Sequence, residues 1–212
     1  MQMDGLIISI EGGEGSGKGT VIEKLKKEFP NFVFTREPGG TKIAEEIRSV
    51  IVNKENVGMT PMTEAMLFAA ARNQHLVDKV IPAMNEGKVV LFDRYLDSSL
   101  VYQGIARGLG WETVWDINRY AVGLYVPSLT IYLDIEPEKG LARIAANNRD
   151  TNRLDLESIE FHKKIRAGYL QLADTFKERF CVVNADQSPD EVFQDVVAQI
   201  NKILVRRGFA EK

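Results

Sequence analysis

The stretch Leu6-Ile7-Ile8-Ser9-Ile10-Glu11-Gly12-Gly13-Glu14-Gly15-Ser16-Gly17-Lys18-Gly19-Thr20 decides the fold. An apolar run ends in a glycine-rich turn, a lysine follows, and Val21-Ile22-Glu23-Lys24-Leu25 continues as an amphipathic pattern. This is strand, loop and helix, spaced as the phosphate-binding pattern G-x-x-x-x-G-K, with Gly12, Gly17 and Lys18 in the required places. Successive backbone N–H groups must converge on phosphate oxygens, and glycine lets the chain come that close. The helix behind the loop turns its positive end toward the same anion, and Lys18 adds a full charge. The reading is a site for a nucleoside triphosphate, built from Gly12, Gly13, Glu14, Gly15, Ser16, Gly17, Lys18, Gly19 and Thr20. Gly19 stands where the pattern has Ser or Thr. The usual hydroxyl ligand for Mg²⁺ is therefore missing or displaced by one place to Thr20.

Outward from this loop, short β-rich apolar runs alternate with longer helical patterns. The predicted strands are Leu6–Ile10, Phe32–Thr35, Val89–Phe92, Leu129–Leu133 and Phe180–Val183. Helices are expected near 18–28, 41–52, 62–86, 97–106, 111–123, 137–147, 157–178 and 189–206. Such alternation implies an α/β fold, a five-stranded parallel sheet flanked by helices on both faces. Ligands in such sheets bind beyond the carboxyl ends of the strands. The unusual polar residues fall there: the loop after the first strand, Arg36-Glu37-Pro38-Gly39-Gly40 after the second, and Asp93-Arg94-Tyr95 after the third.

The 212 residues suit one domain with a full core, 1–212. With 44% hydrophobic and 27% charged residues and a net charge of −3, the composition argues against a general binder of nucleic acid or of acidic membranes. No apolar run approaches membrane length, and no basic segment followed by a long apolar run opens the chain. Cys181 is the single cysteine, which excludes an internal disulfide and fits a cytoplasmic protein. Its apolar neighbours suggest a core residue rather than a nucleophile.

A carboxylate directly after a buried strand, here Asp93, suits a second magnesium-holding element. The adjacent Arg94 can stabilise charge spread over a transferred phosphoryl group. Arg36, at the end of the second strand, suggests an anionic acceptor opposite the triphosphate; Arg48 could join it or be a solvated helix residue. Phe68, Arg72 and His75 share a helix face. They could stack on and bond a flat base, or equally form a core Phe beside a paired Arg. Ser98, Ser99, Tyr102 and Gln103 could contact a sugar and base, though serines at a helix start commonly cap it. Residues 143–155 carry Arg143, Arg149 and Arg153 on a polar interruption. It reads either as a basic flap closing over phosphates or as a solvated loop.

Taken together, these segments resemble the thymidylate kinase family of nucleoside monophosphate kinases over nearly the whole chain. The resemblance rests on Ile10-Glu11-Gly12, Thr35-Arg36-Glu37-Pro38-Gly39-Gly40-Thr41, Leu67-Phe68-Ala69-Ala70 with Arg72 and His75, and Asp93-Arg94-Tyr95 with Ser98 to Gly104. It extends to Tyr132-Leu133-Asp134 and to Phe161-His162-Lys163-Lys164 through Gly168-Tyr169. It implies a P-loop NTPase three-layer fold with a short lid at about 143–156. It implies transfer of the γ-phosphoryl group of ATP to dTMP with Mg²⁺, and a homodimer. Arg36 and Arg94 would hold the acceptor phosphate, Phe68 would stack on thymine and Arg72 would bond its edge, with Ser99 and Gln103 nearby. Tyr102 would disfavour a ribose 2′-OH, and Glu14 would approach the deoxyribose 3′-OH. Family members lacking an arginine in the P-loop supply one from the lid. That places Arg149 and Arg153 with Lys18 and Arg94 as catalytic, and Arg143 at ATP. Two departures stand out: the Gly-Lys-Gly-Thr spelling is closer to adenylate kinases, and Ala71 replaces a commonly acidic residue beside Arg72.

A phosphate monoester is mostly ionised at neutral pH, its second pKa being about 6, so it needs no general base. A sugar hydroxyl would need one. Arg36 favours the phosphorylated acceptor, whereas Glu37 keeps a deoxynucleoside kinase, or another monophosphate kinase, as the alternative. A GTPase switch would need an Asn-Lys-x-Asp motif after a strand. Asn53-Lys54-Glu55-Asn56 lacks the aspartate and follows a helix.

Overall fold

The computed structural model describes residues 5–146 and 157–209. Five strands, β1 (Leu6–Gly12), β2 (Val33–Arg36), β3 (Val89–Asp93), β4 (Leu129–Asp134) and β5 (Phe180–Asn184), form one parallel sheet in the order β2-β3-β1-β4-β5. The period-2 alternation of strand side chains divides the core between its two faces. Leu6, Ile8 and Ile10 of β1, Val89 and Leu91 of β3, and Ile131 and Leu133 of β4 face one way. They pack against α1 (Lys18–Glu28) and α9 (Pro189–Arg207) through Val21, Leu25, Val196 and Ile200. Ile7, Val90, Phe92 and Tyr132 face the other way. There they meet α6 (Trp111–Val122) and α8 (Ile159–Thr175) through Val114, Ile165, Tyr169 and Leu172.

The helix ends follow the expected chemistry. Ser188 and Glu191 close a capping box on α9, Ser158 caps α8, and Thr60 precedes Pro61 at the start of α3 (Pro61–His75). The helix expected at 62–86 is not uniform. After α3 it widens into a π-helical turn at Leu76–Val80, then resumes as α4 (Ile81–Asn85). Pro82 lacks an N–H and cannot donate to the carbonyl one turn back, which accounts for the break in regular spacing. The stretch expected at 97–106 also differs: only Leu96–Ser99 is α-helical (α5), and Leu100–Ala106 is π-helical. Two further helices, α2 (Lys42–Val52) and α7 (Pro137–Ala146), complete the layers. Among the described residues no helix is long and apolar enough to cross a membrane.

Candidate active site

The carboxyl ends of β1, β2 and β3 open onto one cleft of about 650 Å³. Glu14 to Val21 form its floor, Arg36, Glu37 and Pro38 one flank, and Asp93 and Arg94 the middle. Gly17 takes the left-handed conformation, with φ of 87°, and no side chain caps α1. The first N–H groups of that helix are thus left to an anion in the cleft. Gly15, with φ of 70°, lies so close to Gly140 of α7 that a Cβ on either residue would strike the other segment's backbone. The loop is seated on that helix through two glycines.

Lys18 is half-buried, and its Nζ donates to the carbonyls of Gly12 and Gly13 over 3.0 and 3.4 Å. Burial, and then the nearby Arg94, push its ammonium down to about 8, against the pull of Glu14 and Asp93. Ser16 Oγ is buried without a partner among the described residues. Asp93 and Thr20 both line the cleft. Mg²⁺ favours one or two carboxylates completed by phosphates and waters rather than an all-protein cage. A carboxylate and a hydroxyl beside a phosphate-binding loop fit that preference, and among the described residues no larger cluster of acidic and imidazole groups offers a different metal site.

Arg94 is held in the left-handed region, with φ of 61°, a conformation that costs a non-glycine residue on the order of 1 kcal/mol. Two bonds fix it: Arg94 N donates to Ile10 O over 3.1 Å, and Tyr95 N donates to Glu11 Oε1 over 2.8 Å. The side chain turns back over the loop. Nη2 donates to Glu14 Oε1 over 2.8 Å, and the guanidinium lies 5.1 Å from the centre of the Tyr102 ring. Beneath it, Glu11 is fully buried and accepts from Ser9, Ser98, Tyr169 and the Tyr95 amide. Burial, and secondarily Asp97, raise its carboxyl above the ordinary range.

On the β2 side, Arg36 is half-exposed and grips Glu45 through Nη2 at 2.8 and 3.0 Å. Arg48 also lines the cleft and donates to Pro38 O over 2.8 Å. Burial, and then Arg36, push its guanidinium below the usual range. Of the two roles open to Arg48, joining Arg36 or lying solvated on a helix, the structure favours the first, since Arg48 lines the cleft. Phe68 and Arg72 of α3 line the same cleft. Arg72 is 1% exposed. Its Nε donates to Glu37 Oε2 over 2.7 Å, Nη1 to Asn118, and Nη2 to Tyr95 O and Ser99 Oγ. Glu37 and Asn118 thus fix the orientation of Arg72 with no acidic residue at position 71. His75 does not reach the cleft wall. It is fully buried and bridges Glu37 Oε1 at 3.1 Å to Thr35 Oγ1 at 2.7 Å.

Ser98, Tyr102 and Gln103 are at the wall, whereas Ser99 is not among the lining residues and stands behind Arg72 as its acceptor. On the β5 side, Arg143 lines the cleft beside Gln187 and donates to Ala185 O over 3.1 Å. Arg149 and Arg153 lie outside the described residues, as does most of the expected lid. Glu11, Glu37 and Asn118 support the site from behind. Glu11 and Glu37 lie in the motifs that carry the resemblance, but what makes them supports is their burial, which the sequence alone does not display.

The family model described as thymidylate kinase matches residues 10–196. Two curated thymidylate kinases are close in sequence. That of Clostridium novyi is 52% identical over 197 residues, covering 91% of this chain and 96% of that protein. That of Bacillus cytotoxicus is 53% identical over 208 residues, covering 96% of this chain and 100% of that protein. The crystal structure of thymidylate kinase from Ehrlichia chaffeensis superposes with a TM-score of 0.74 at 26% identity, covering 93% of this chain and 98% of that one. A family model matched over residues 10–196 and relatives more than half identical over almost the full length lead to one conclusion: the chain belongs to the thymidylate kinase family.

Proposed function

We propose how the residues of this cleft divide the work of the reaction that membership of the family assigns to the chain, transfer of the γ-phosphoryl group of ATP to dTMP to give ADP and dTDP. The observation that carries the reading is the convergence of Lys18, Arg36, Arg48 and Arg94 on one cleft whose far wall is Phe68 and Arg72. Cations gather where two phosphorylated molecules must meet, and an aromatic ring with a fixed guanidinium lies where a flat base would sit.

The acceptor phosphate arrives already ionised and needs no general base. The task is to bring two anions in line and offset their repulsion. The P-loop amides, the start of α1 and Lys18 bind the ATP phosphates, and Arg143 flanks its nucleoside. Arg36 and Arg94 take the acceptor phosphate, with Arg48 behind them. Phe68 stacks on the base and Arg72 bonds its edge; Ser98, Tyr102 and Gln103 line the sugar and base, with Ser99 acting through Arg72. Glu14 reaches the sugar once Arg94 turns to phosphate. Arg149 and Arg153 complete the catalytic cations. Mg²⁺ would be held by Asp93 and Thr20 and would neutralise charge between the phosphates.

The chain acts as one kinase domain, since both core layers share one sheet. A homodimer is supported by Met62 and Met66, one turn apart and exposed on α3, and by Val50, exposed on α2; sedimentation would show it. The lone thiol of Cys181 fits the cytoplasm.

The test is ADP release with ATP·Mg²⁺ against dTMP, dUMP, dCMP, AMP, GMP and thymidine. Preference for dTMP is expected. Turnover of thymidine without dTMP would overturn the roles of Arg36 and Arg94.

A further inference from the structure

Gln103 lines the cleft near Phe68 and Arg72 and is 1% exposed. A carboxamide has two ends of similar shape and opposite hydrogen-bonding character: the NH₂ donates and the oxygen accepts. Here the donating end is occupied. Nε2 donates to Glu64 Oε1 over 2.9 Å, and Glu64, on α3, is itself 1% exposed. An ionised carboxylate only accepts. Turning the amide over would therefore set two oxygens against each other in a buried place. Arg107 supplies the counter-charge, with Nε 3.4 Å from the same Oε1. Arg107 is held in turn by the Phe161 ring, 4.7 Å from its guanidinium, and by Glu157 Oε1 at 2.7 Å. The accepting end, Gln103 Oε1, is buried and has no partner among the described residues.

Arg72 supplies the complementary half. A guanidinium has five N–H groups. Glu37, Asn118, Tyr95 O and Ser99 take four of them, which leaves one N–H on Nη1. The wall thus holds a fixed acceptor and a spare donor.

We infer that Glu64 is a positioning residue that sets base specificity. By holding the Gln103 amide with its oxygen free, it selects a ring that presents an N–H beside a carbonyl, the imide edge of thymine or uracil. Cytosine offers a lone pair and an amino group on that edge, the reverse pattern. The inference rests on the reading of this cleft as the dTMP site.

The experiment compares kcat/KM for dTMP and dCMP, or the Ki of dCMP against dTMP where its turnover is undetectable. It uses the wild type, Glu64→Gln, and the swapped pair Glu64→Gln with Gln103→Glu. Glutamine at position 64 can donate or accept, so Gln103 can then present either end. The preference for dTMP over dCMP should fall tenfold or more, as expected when a polar readout is lost. In the swapped pair, position 64 donates to a carboxylate that still offers an oxygen to the ligand, and the preference should return. Parallel losses for both nucleotides with an unchanged ratio would mean a structural role only and would overturn the inference. If Glu64→Gln does not fold, the swapped pair carries the test: preference kept supports it, preference lost in a folded protein overturns it. A wild type that does not phosphorylate dTMP would overturn the underlying reading as well, whereas an unchanged ratio overturns this inference alone.

Discussion

Arg94 Nη2 stands 2.8 Å from Glu14 Oε1, so a cation at the end of β3 is anchored by a carboxylate inside the phosphate-binding loop. Both side chains are mostly buried, where such a pair is screened less than on the surface. On the proposed reading, the acceptor phosphate competes with Glu14 for the guanidinium. Arg94→Ala should lower kcat by about 10²–10³-fold, the usual cost of losing a charge-stabilising donor. The variant should still fold, as read by circular dichroism, with a lower melting temperature because Glu14 loses a mostly buried counter-ion. Steady-state rates near normal in this variant would remove Arg94 from the mechanism.

The lowered Lys18 pKa gives a proton signature. In the free enzyme the ammonium loses its proton as pH rises through about 8. The triphosphate favours the charged form, so ATP binding above that pH should take up a proton and weaken as pH climbs. Titration calorimetry at pH 8.5 in two buffers of different ionisation heat measures this directly. Identical apparent enthalpies in the two buffers, before any correction, would mean that Lys18 stays charged in the free enzyme.

Glu37 joins Arg72 to His75 in a buried row, with Thr35 at its end. Glu37→Gln would leave the Arg72 charge buried without its counter-ion, which costs about 3 kcal/mol or more. For a chain of this size that corresponds to a fall of about 6–12 °C in Tm. Thermal unfolding followed by circular dichroism would read it. A Tm within 2 °C of wild type, on the same scale of about 2–4 °C per kcal/mol, would show that Asn118 and the Tyr95 carbonyl suffice.

Phe68 is 8% exposed and lies on the cleft wall. Phe68→Ala should raise the KM for dTMP by about 10–100-fold, since base stacking on an aromatic ring is worth about 1–3 kcal/mol. The KM for ATP should stay nearly constant. An effect confined to ATP would place the ring elsewhere.

The fold was legible because its strands are short apolar runs ended by a charged residue, glycine or asparagine, and the core alternation follows from those runs alone. The ends of β1, β2 and β3 carried Lys18, Arg36 and Asp93-Arg94 to the cleft by position. Other features depend on partners far along the chain. Arg72 owes its pose to Glu37 and Asn118, 35 and 46 residues away, and nothing local to α3 announces either. Ser98 and Ser99 are equivalent as letters, yet Ser98 donates to Glu11 while Ser99 accepts from Arg72. The widened turns were hidden for a related reason: apolar periodicity registers a helix without revealing an extra residue in its turn.

The widened turn at Leu100–Ala106 sets the mutual bearing of Ser98, before it, and of Tyr102 and Gln103, within it. Each residue advances a regular helix by about 100°. Deleting one residue there would let the backbone settle into ordinary spacing while swinging the following side chains away from the cleft. Improved local geometry and loss of the site would arrive in the same change. A screen for stability alone would keep a variant that natural selection would discard.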